Sequence, residues 1–176
     1  GLRAVQRLQA DYAWAISLEI CVFPQEGMLN NPGTEALLCQ ALESGADLLG
    51  GCPYTDSDPQ GQIRRLFELA VHYDCDLDFH LDFDLNPEGM TLGCVIEQTR
   101  LHGWQGRVAV GHATKLSALP RTALDAMANE LAEAGVAVTC LPSTDLFLTG
   151  REHFHNKPRG LAPLAALHAC GVTCSL

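Results

Sequence analysis

The sequence predicts an α/β fold of the (β/α)8 barrel class, and three observations point to it. A unit of helix, glycine and apolar run recurs at a period of roughly 30 to 40 residues. The apolar runs are almost wholly hydrophobic, as strands buried on both faces of a parallel sheet are. Polar and ionisable residues gather just past each run, at the C-terminal strand ends where barrel enzymes assemble their sites from successive strand-to-helix loops.

Taken in order, the chain opens on Gly1-Leu-Arg-Ala-Val-Gln6, already helical in character, and residues 18–23 read as the first strand. Residues 34–43 carry apolar positions at helical spacing, Gly45 can take the left-handed position past their end, and 46–50 follow as a strand. The helix predicted over 62–72 runs into a strand ending at His80. Residues 91–102 with Gly103 precede the strand 107–111. The pattern repeats in 124–134, Gly135 and 136–141, and again in 161–170, Gly171 and 172–176, giving six strands. Strands alternating with helices make a parallel sheet, because parallel neighbours need a crossover. An open doubly wound sheet is the other arrangement compatible with this alternation. No Gly-x-Gly-x-x-Gly follows a strand, so its nucleotide-binding form has no support.

At 176 residues with 47% apolar content the chain is expected to form one domain over residues 1–176. No run approaches the ~18 apolar residues of a membrane span, and no basic head precedes an apolar signal core, so a cytoplasmic location is expected. The formal charge of −10, with 11 Lys and Arg against 21 acids, disfavours nucleic acid as a partner. None of the eight cysteines lies in a Cys-x-x-Cys pair and most fall within apolar patterns, so buried free thiols are expected. The chain starts within a helical pattern without an initiator Met and stops at Leu176 within an apolar run, which suggests ends cut from a longer polypeptide.

The residues past each strand are Pro24-Gln25-Glu26-Gly27, Cys52-Pro53-Tyr54-Thr55-Asp56, His80-Leu-Asp82-Phe-Asp84, Gly111-His112-Ala113-Thr114-Lys115 and Pro142-Ser143-Thr144-Asp145. The third is the most informative. With a strand's two-residue period, His80, Asp82 and Asp84 face one side while Phe79, Leu81 and Phe83 face the other. An imidazole with two carboxylates is the raw material of a metal or proton-transfer site. The plainer reading is a strand running out into an acidic, solvated loop. His72, His102 and His168 near helix C-termini suit the macrodipole and need no further role.

The run Phe23-Pro-Gln-Glu-Gly27, the strand ending His80-x-Asp82, the run Arg107-Val-Ala-Val-Gly-His112, and Gly150-Arg151 with Pro158-Arg159-Gly160 together resemble the cytosine deaminase-like branch of the amidohydrolase superfamily. The resemblance implies a TIM barrel of the metal-dependent amidohydrolase type, of which this chain represents about strands 3–8. It implies one divalent metal ion, zinc or iron, held in the family by a His-x-His pair from strand 1, a His from strand 5 and an Asp from strand 8. His80 then corresponds to the strand 5 ligand and His112 to the strand 6 histidine that bonds the attacking water or the substrate. Gln25 corresponds to the glutamine that reads the substrate's cyclic amide edge. Strands 1 and 2 and the strand 8 aspartate fall outside the sequence. Where the family usually reads His-x-Asp-Glu, with the glutamate as proton shuttle, this chain has Phe83. Asp82 and Asp84 are the candidates to replace it, Asp82 being unshifted.

The implied activity is hydrolysis of a C–N bond in a small cyclic amine or amide, deamination in the first instance. The chemistry suits these residue types: a metal lowers the pKa of bound water, a carboxylate takes the water's proton and passes it to the departing amine, an imidazole holds the developing charge, and a side-chain amide can donate to a ring carbonyl and accept from a ring N–H at once. The alternative is a non-catalytic partial barrel whose open strand edges associate with another copy or another chain. A cysteine nucleophile at Cys52 or Cys140 lacks a basic neighbour, and Ser143 lacks the Gly-x-Ser-x-Gly turn.

Overall fold

Capping residues and apolar spacing put most elements where the sequence expects them, in a computed structural model that describes residues 1–176. The chain divides into two compact units, Gly1–Asp78 and Phe79–Leu176. Each is built of strands joined by helices.

The first unit holds α1 (Leu2–Tyr12), β1 (Cys21–Val22), α2 (Thr34–Glu43), β2 (Leu48–Gly51), a 3₁₀ turn at Pro53–Thr55, α3 (Pro59–Tyr73) and the start of β3 (Asp76–Leu81). β1 lies parallel to β2, with Cys21 opposite Leu48 and Val22 opposite Leu49. The strand expected over 18–23 is only two residues long. The Asp47 carboxylate accepts the Ile20 N–H at 2.7 Å, which removes it from the ladder, and Pro24 has no N–H to give. Helix α3 starts three residues earlier than its apolar spacing suggests. Asp58 caps it by accepting from Gly61 N at 2.8 Å, and Pro59 sits where a missing N–H costs nothing. Its apolar face, Ile63, Leu66, Phe67 and Ala70, is completely buried.

Past β1 and β2 the loops are tied together by one side chain. The Asp56 carboxylate accepts from Met28 N (2.7 Å), Leu29 N (3.1 Å), Asn30 N (2.9 Å) and the Gln62 amide (2.6 Å). Within β2, a Cβ on Gly50 would lie 2.6 Å from the Asp78 carbonyl oxygen and 2.9 Å from Cys21 Sγ. Backbone cannot retreat as a side chain can, so Gly50→Ala is expected to destabilise by about 1–3 kcal/mol. A urea midpoint that does not move would refute this.

The second unit holds the rest of β3, α4 (Leu92–His102), β4 (Val108–His112), a 3₁₀ turn at Thr114–Ala118, α5 (Arg121–Ala134), β5 (Val136–Thr139), α6 (Pro142–Leu148), α7 (Leu164–Ala169) and β6 (Cys174–Ser175). β4 and β5 are parallel from Val108↔Val136 to Gly111↔Thr139, and β5 and β6 from Val138↔Cys174 to Thr139↔Ser175. Gly103 and Gly135 close α4 and α5 in the left-handed conformation that the sequence assigns them. Two expectations shift. Residues 142–145, read as loop, begin α6, with Pro142 in its first turn. The helix expected from 161 starts only at Leu164, behind Pro163.

The strand order is β1-β2-β3 in the first unit and β3-β4-β5-β6 in the second. Neither contains the reversal that defines an open doubly wound sheet, which leaves the singly wound order of a (β/α)8 barrel. All eight cysteines are free; Cys52, Cys75 and Cys140 are buried and the other five are half-buried.

Candidate active site

β3 alternates as its sequence predicts. Leu77, Phe79 and Leu81 are buried, and Asp76, Asp78 and His80 are half-buried on the other face. The alternation stops one residue before Asp82, which takes a left-handed φ of 52°. Asp82 therefore does not continue the His80 face, and the expectation of three ionisable groups in one row fails at that backbone turn.

His80 meets His112 instead. His80 Nδ1 lies 3.3 Å from His112 Nε2, and His112 Nδ1 lies 2.6 Å from Asp145 Oδ1. His112 is 7% exposed and Asp145 is completely buried. A carboxylate only accepts hydrogen bonds, so this pairing places the proton of His112 on Nδ1 and a lone pair on Nε2. The His80 Nδ1–H then donates to that lone pair. In the neutral His80 ring the lone pair then lies on Nε2, an atom through which imidazole ligates metals. Asp145 was not singled out as a site residue from the sequence. The signal that could have found it is its position past β5, among the polar residues that follow each strand.

The two carboxylates proposed beside His80 are engaged elsewhere. Asp82, 5% exposed, accepts from Thr91 N (3.0 and 3.1 Å), Thr91 Oγ1 (3.2 Å) and Leu92 N (3.0 Å), and so ties down the start of α4. Burial pushes its carboxyl pKa upward against those N–H donors and the nearby Lys115 charge. Asp84 is exposed, 3.3 Å from Lys115 Nζ, and accepts from Asn86 N at 2.7 Å. Phe83 sets its ring 6.1 Å from that of His112, edge to face. Three of the five non-glycine residues with positive φ are Asp82, His112 and Ala113, at the ends of β3 and β4. Such strain concentrates where a site dictates backbone direction.

In the first unit, Gln25 is exposed past β1, near the Tyr54 side chain. Burial raises the thiol pKa of Cys52 and Cys140, and burial with the nearby Asp78 pushes Cys21 up to about 12. Protonated thiols of this kind are poor nucleophiles, which removes the cysteine reading. No group of three or more His, Cys, Asp or Glu side chains is placed to hold a metal ion. His80 offers one suitable nitrogen, and the residues of this chain do not by themselves form a metal centre.

The Amidohydrolase family model matches residues 2–176. The chain belongs to the amidohydrolase family. Members of this family are generally metal-dependent. This amidohydrolase chain is 29% identical over 148 residues to the N-isopropylammelide isopropyl amidohydrolase of Pseudomonas sp. (strain ADP), covering 82% of the chain and 36% of the relative. It is 28% identical over 155 residues to the pterin deaminase of Rhizobium rhizogenes, covering 87% and 35%. The chain thus spans about a third of the length of the curated relatives it matches. Among solved structures, the 5-methylcytosine deaminase from Klebsiella pneumoniae superposes with a TM-score of 0.91 at 27% identity, over 98% of this chain and 43% of that one. This likeness gives the chain the fold of part of an amidohydrolase TIM barrel.

Proposed function

We propose that this chain forms part of the single catalytic domain of a metal-dependent hydrolase that cleaves a C–N bond in a small cyclic nitrogen compound, with deamination of a ring amine as the reaction. The observation that carries the proposal is the hydrogen-bonded series Asp145, His112, His80. It supplies a proton acceptor and a metal-ligating nitrogen in one fixed arrangement.

His80 would hold a single divalent ion, zinc or iron, through Nε2, together with ligands that the residues of this chain do not supply. When bound, such an ion lowers the pKa of water toward neutrality. His112 gives up the bond from His80 Nδ1–H and accepts a proton at Nε2, and Asp145 stabilises the resulting imidazolium through Nδ1–H. The same proton passes to the departing amine, so that water adds to the ring carbon as ammonia or an alkylamine leaves. This dyad replaces the glutamate that Phe83 displaces. Asp82 and Asp84 act in the loop around it rather than on the proton. Phe83 lays an apolar ring against His112 and excludes water from that side. Gln25 reads the cyclic amide edge of the substrate.

The relatives' names favour this substrate class: an ammelide, a pterin and a methylated cytosine. No helix is long and apolar enough to cross a membrane. A cytoplasmic location without a nucleic-acid or membrane partner belongs to the same proposal, and the acidic net charge of −10 disfavours nucleic acid. Self-association through exposed strand edges belongs to the same proposal. The test is a screen of cytosine-, pterin- and triazine-type ring amines for release of ammonia or alkylamine by the complete metal-loaded polypeptide. Turnover of at least one class is expected; none with any would reject the reading.

A further inference from the structure

The loop from Asp82 to Leu92 leads from β3 to α4, and its middle is exposed at Asp84, Asn86, Pro87, Glu88 and Gly89. Little apolar burial fixes such a segment, so its shape depends on hydrogen bonds. Asp82 closes its neck on Thr91 and Leu92, and local bonds from Asn86 N to Asp84 and from Glu88 N to Asn86 shape its crest. The remaining support comes from outside. Lys115, in the 3₁₀ turn after β4, gives its backbone N–H to the Asp82 carbonyl at 2.9 Å. Its Nζ donates to the Glu88 carbonyl at 2.9 Å and pairs with Asp84 at 3.3 Å. Lys115 is only 9% exposed. Burying an ammonium is costly, and a side chain of the same length without charge would fill the space. What the charge adds is a grip on both sides of the loop.

The loop borders a cavity of about 480 Å³ lined by Phe83, Asp84, Leu85, Lys115, Leu148 and Pro158, among others. Phe83 also packs on His112, so the cavity begins one ring away from the proposed reacting centre. Lys115, a largely buried charge, is paired with Asp84, while Glu152 and His153 are exposed. A cavity of that size, part apolar and with its buried charge paired, suits an uncharged substituent better than an ionic one.

We propose that Lys115 is a positioning residue: by clamping the Asp82–Leu92 loop it holds Phe83 as the wall between His112 and this cavity, which takes an uncharged substituent on the substrate ring. The proposal rests on the hydrolase reading above. It is tested in two arms. In the first, backbone amide exchange is followed in Lys115→Met, with Lys115→Arg as the conservative variant. Exchange at Asn86 and Glu88 is expected to rise about tenfold in Lys115→Met. Exchange at Val110 and Val138, in the sheet, is expected to stay unchanged, and Lys115→Arg to restore the loop. Asp84→Asn, which leaves the lysine in place, should move the same amides in the same direction by less.

In the second arm, the complete enzyme is given the same ring amine with and without a short alkyl substituent. Lys115→Met is expected to raise KM about tenfold more for the substituted compound than for the bare ring, while any change in kcat, which reflects Phe83 against His112, is the same for both. Lys115→Arg should recover the lower KM. Unchanged loop exchange, or equal losses for both compounds, would overturn the proposal. Loop exchange that rises as expected in a polypeptide that turns over no ring amine would support the clamp and reject the hydrolase reading instead.

Discussion

Asp145→Asn is expected to lower kcat of the complete enzyme by about 10²- to 10⁴-fold and to weaken metal binding by about 10- to 100-fold, with the protein still folded. Both effects follow from the direction of two hydrogen bonds. The Asp145 carboxylate accepts from His112 Nδ1 at 2.6 Å, and in the neutral His112 ring this turns the Nε2 lone pair toward His80 Nδ1, 3.3 Å away. Asparagine can present an N–H to His112 Nδ1 and so reverse the series. His112 then carries its proton on Nε2, where it can no longer accept one, and His80 is driven toward the tautomer protonated on the nitrogen that should ligate. Size and backbone are nearly unchanged, so a collapse in stability is not expected. Steady-state kinetics with a metal-affinity measurement check the result. Loss of kcat with intact metal affinity would leave His112 its proton role and remove the link to His80.

Asp56→Ala is expected to destabilise the chain by on the order of 3 kcal/mol. The substitution strands the N–H groups of Met28, Leu29 and Asn30 and the Gln62 amide, all of which donate to one carboxylate that is 8% exposed. A pH dependence accompanies it. Burial alone would raise the Asp56 pKa, but the donors from Met28, Gln62, Asn30 and Leu29 outweigh it and hold the carboxyl below its ordinary value. A pKa lower in the folded state than in the unfolded one means that the contribution is fully present above the ordinary carboxylate pKa. It is lost as pH falls through the folded value. Urea unfolding at neutral and acid pH should therefore show the difference between wild type and Asp56→Ala shrinking toward acid. A difference constant with pH would contradict the assignment of the carboxylate as acceptor.

Much of the fold was legible because it is written in local chemistry. The glycines after α4 and α5 and the apolar runs of β3, β4 and β5 appear where the spacing puts them. What was hidden depended on partners distant in sequence. β1 shrank because Asp47, 27 residues on, takes the Ile20 N–H. The site shows the same division. His80 and His112 stand out as histidines ending strands, and they do meet. The acid that joins them could not be chosen by counting along β3, because strand alternation is a rule about regular backbone and Asp82 turns left-handed at 52°. The carboxylate came from a different loop, 33 residues beyond His112. Past β5, the run Pro142 to Asp145 looked like one more polar loop. Its folding as a helix is what carries Asp145 into the interior.

The central claim, that His80 ligates a metal in an enzyme whose proton passes through His112, is tested most directly by measuring metal content and amine release together in the complete polypeptide and in its His80→Ala variant. Loss of the bound divalent ion together with loss of ammonia or alkylamine release is the predicted result. A His80→Ala protein that keeps its metal and its turnover would contradict the account.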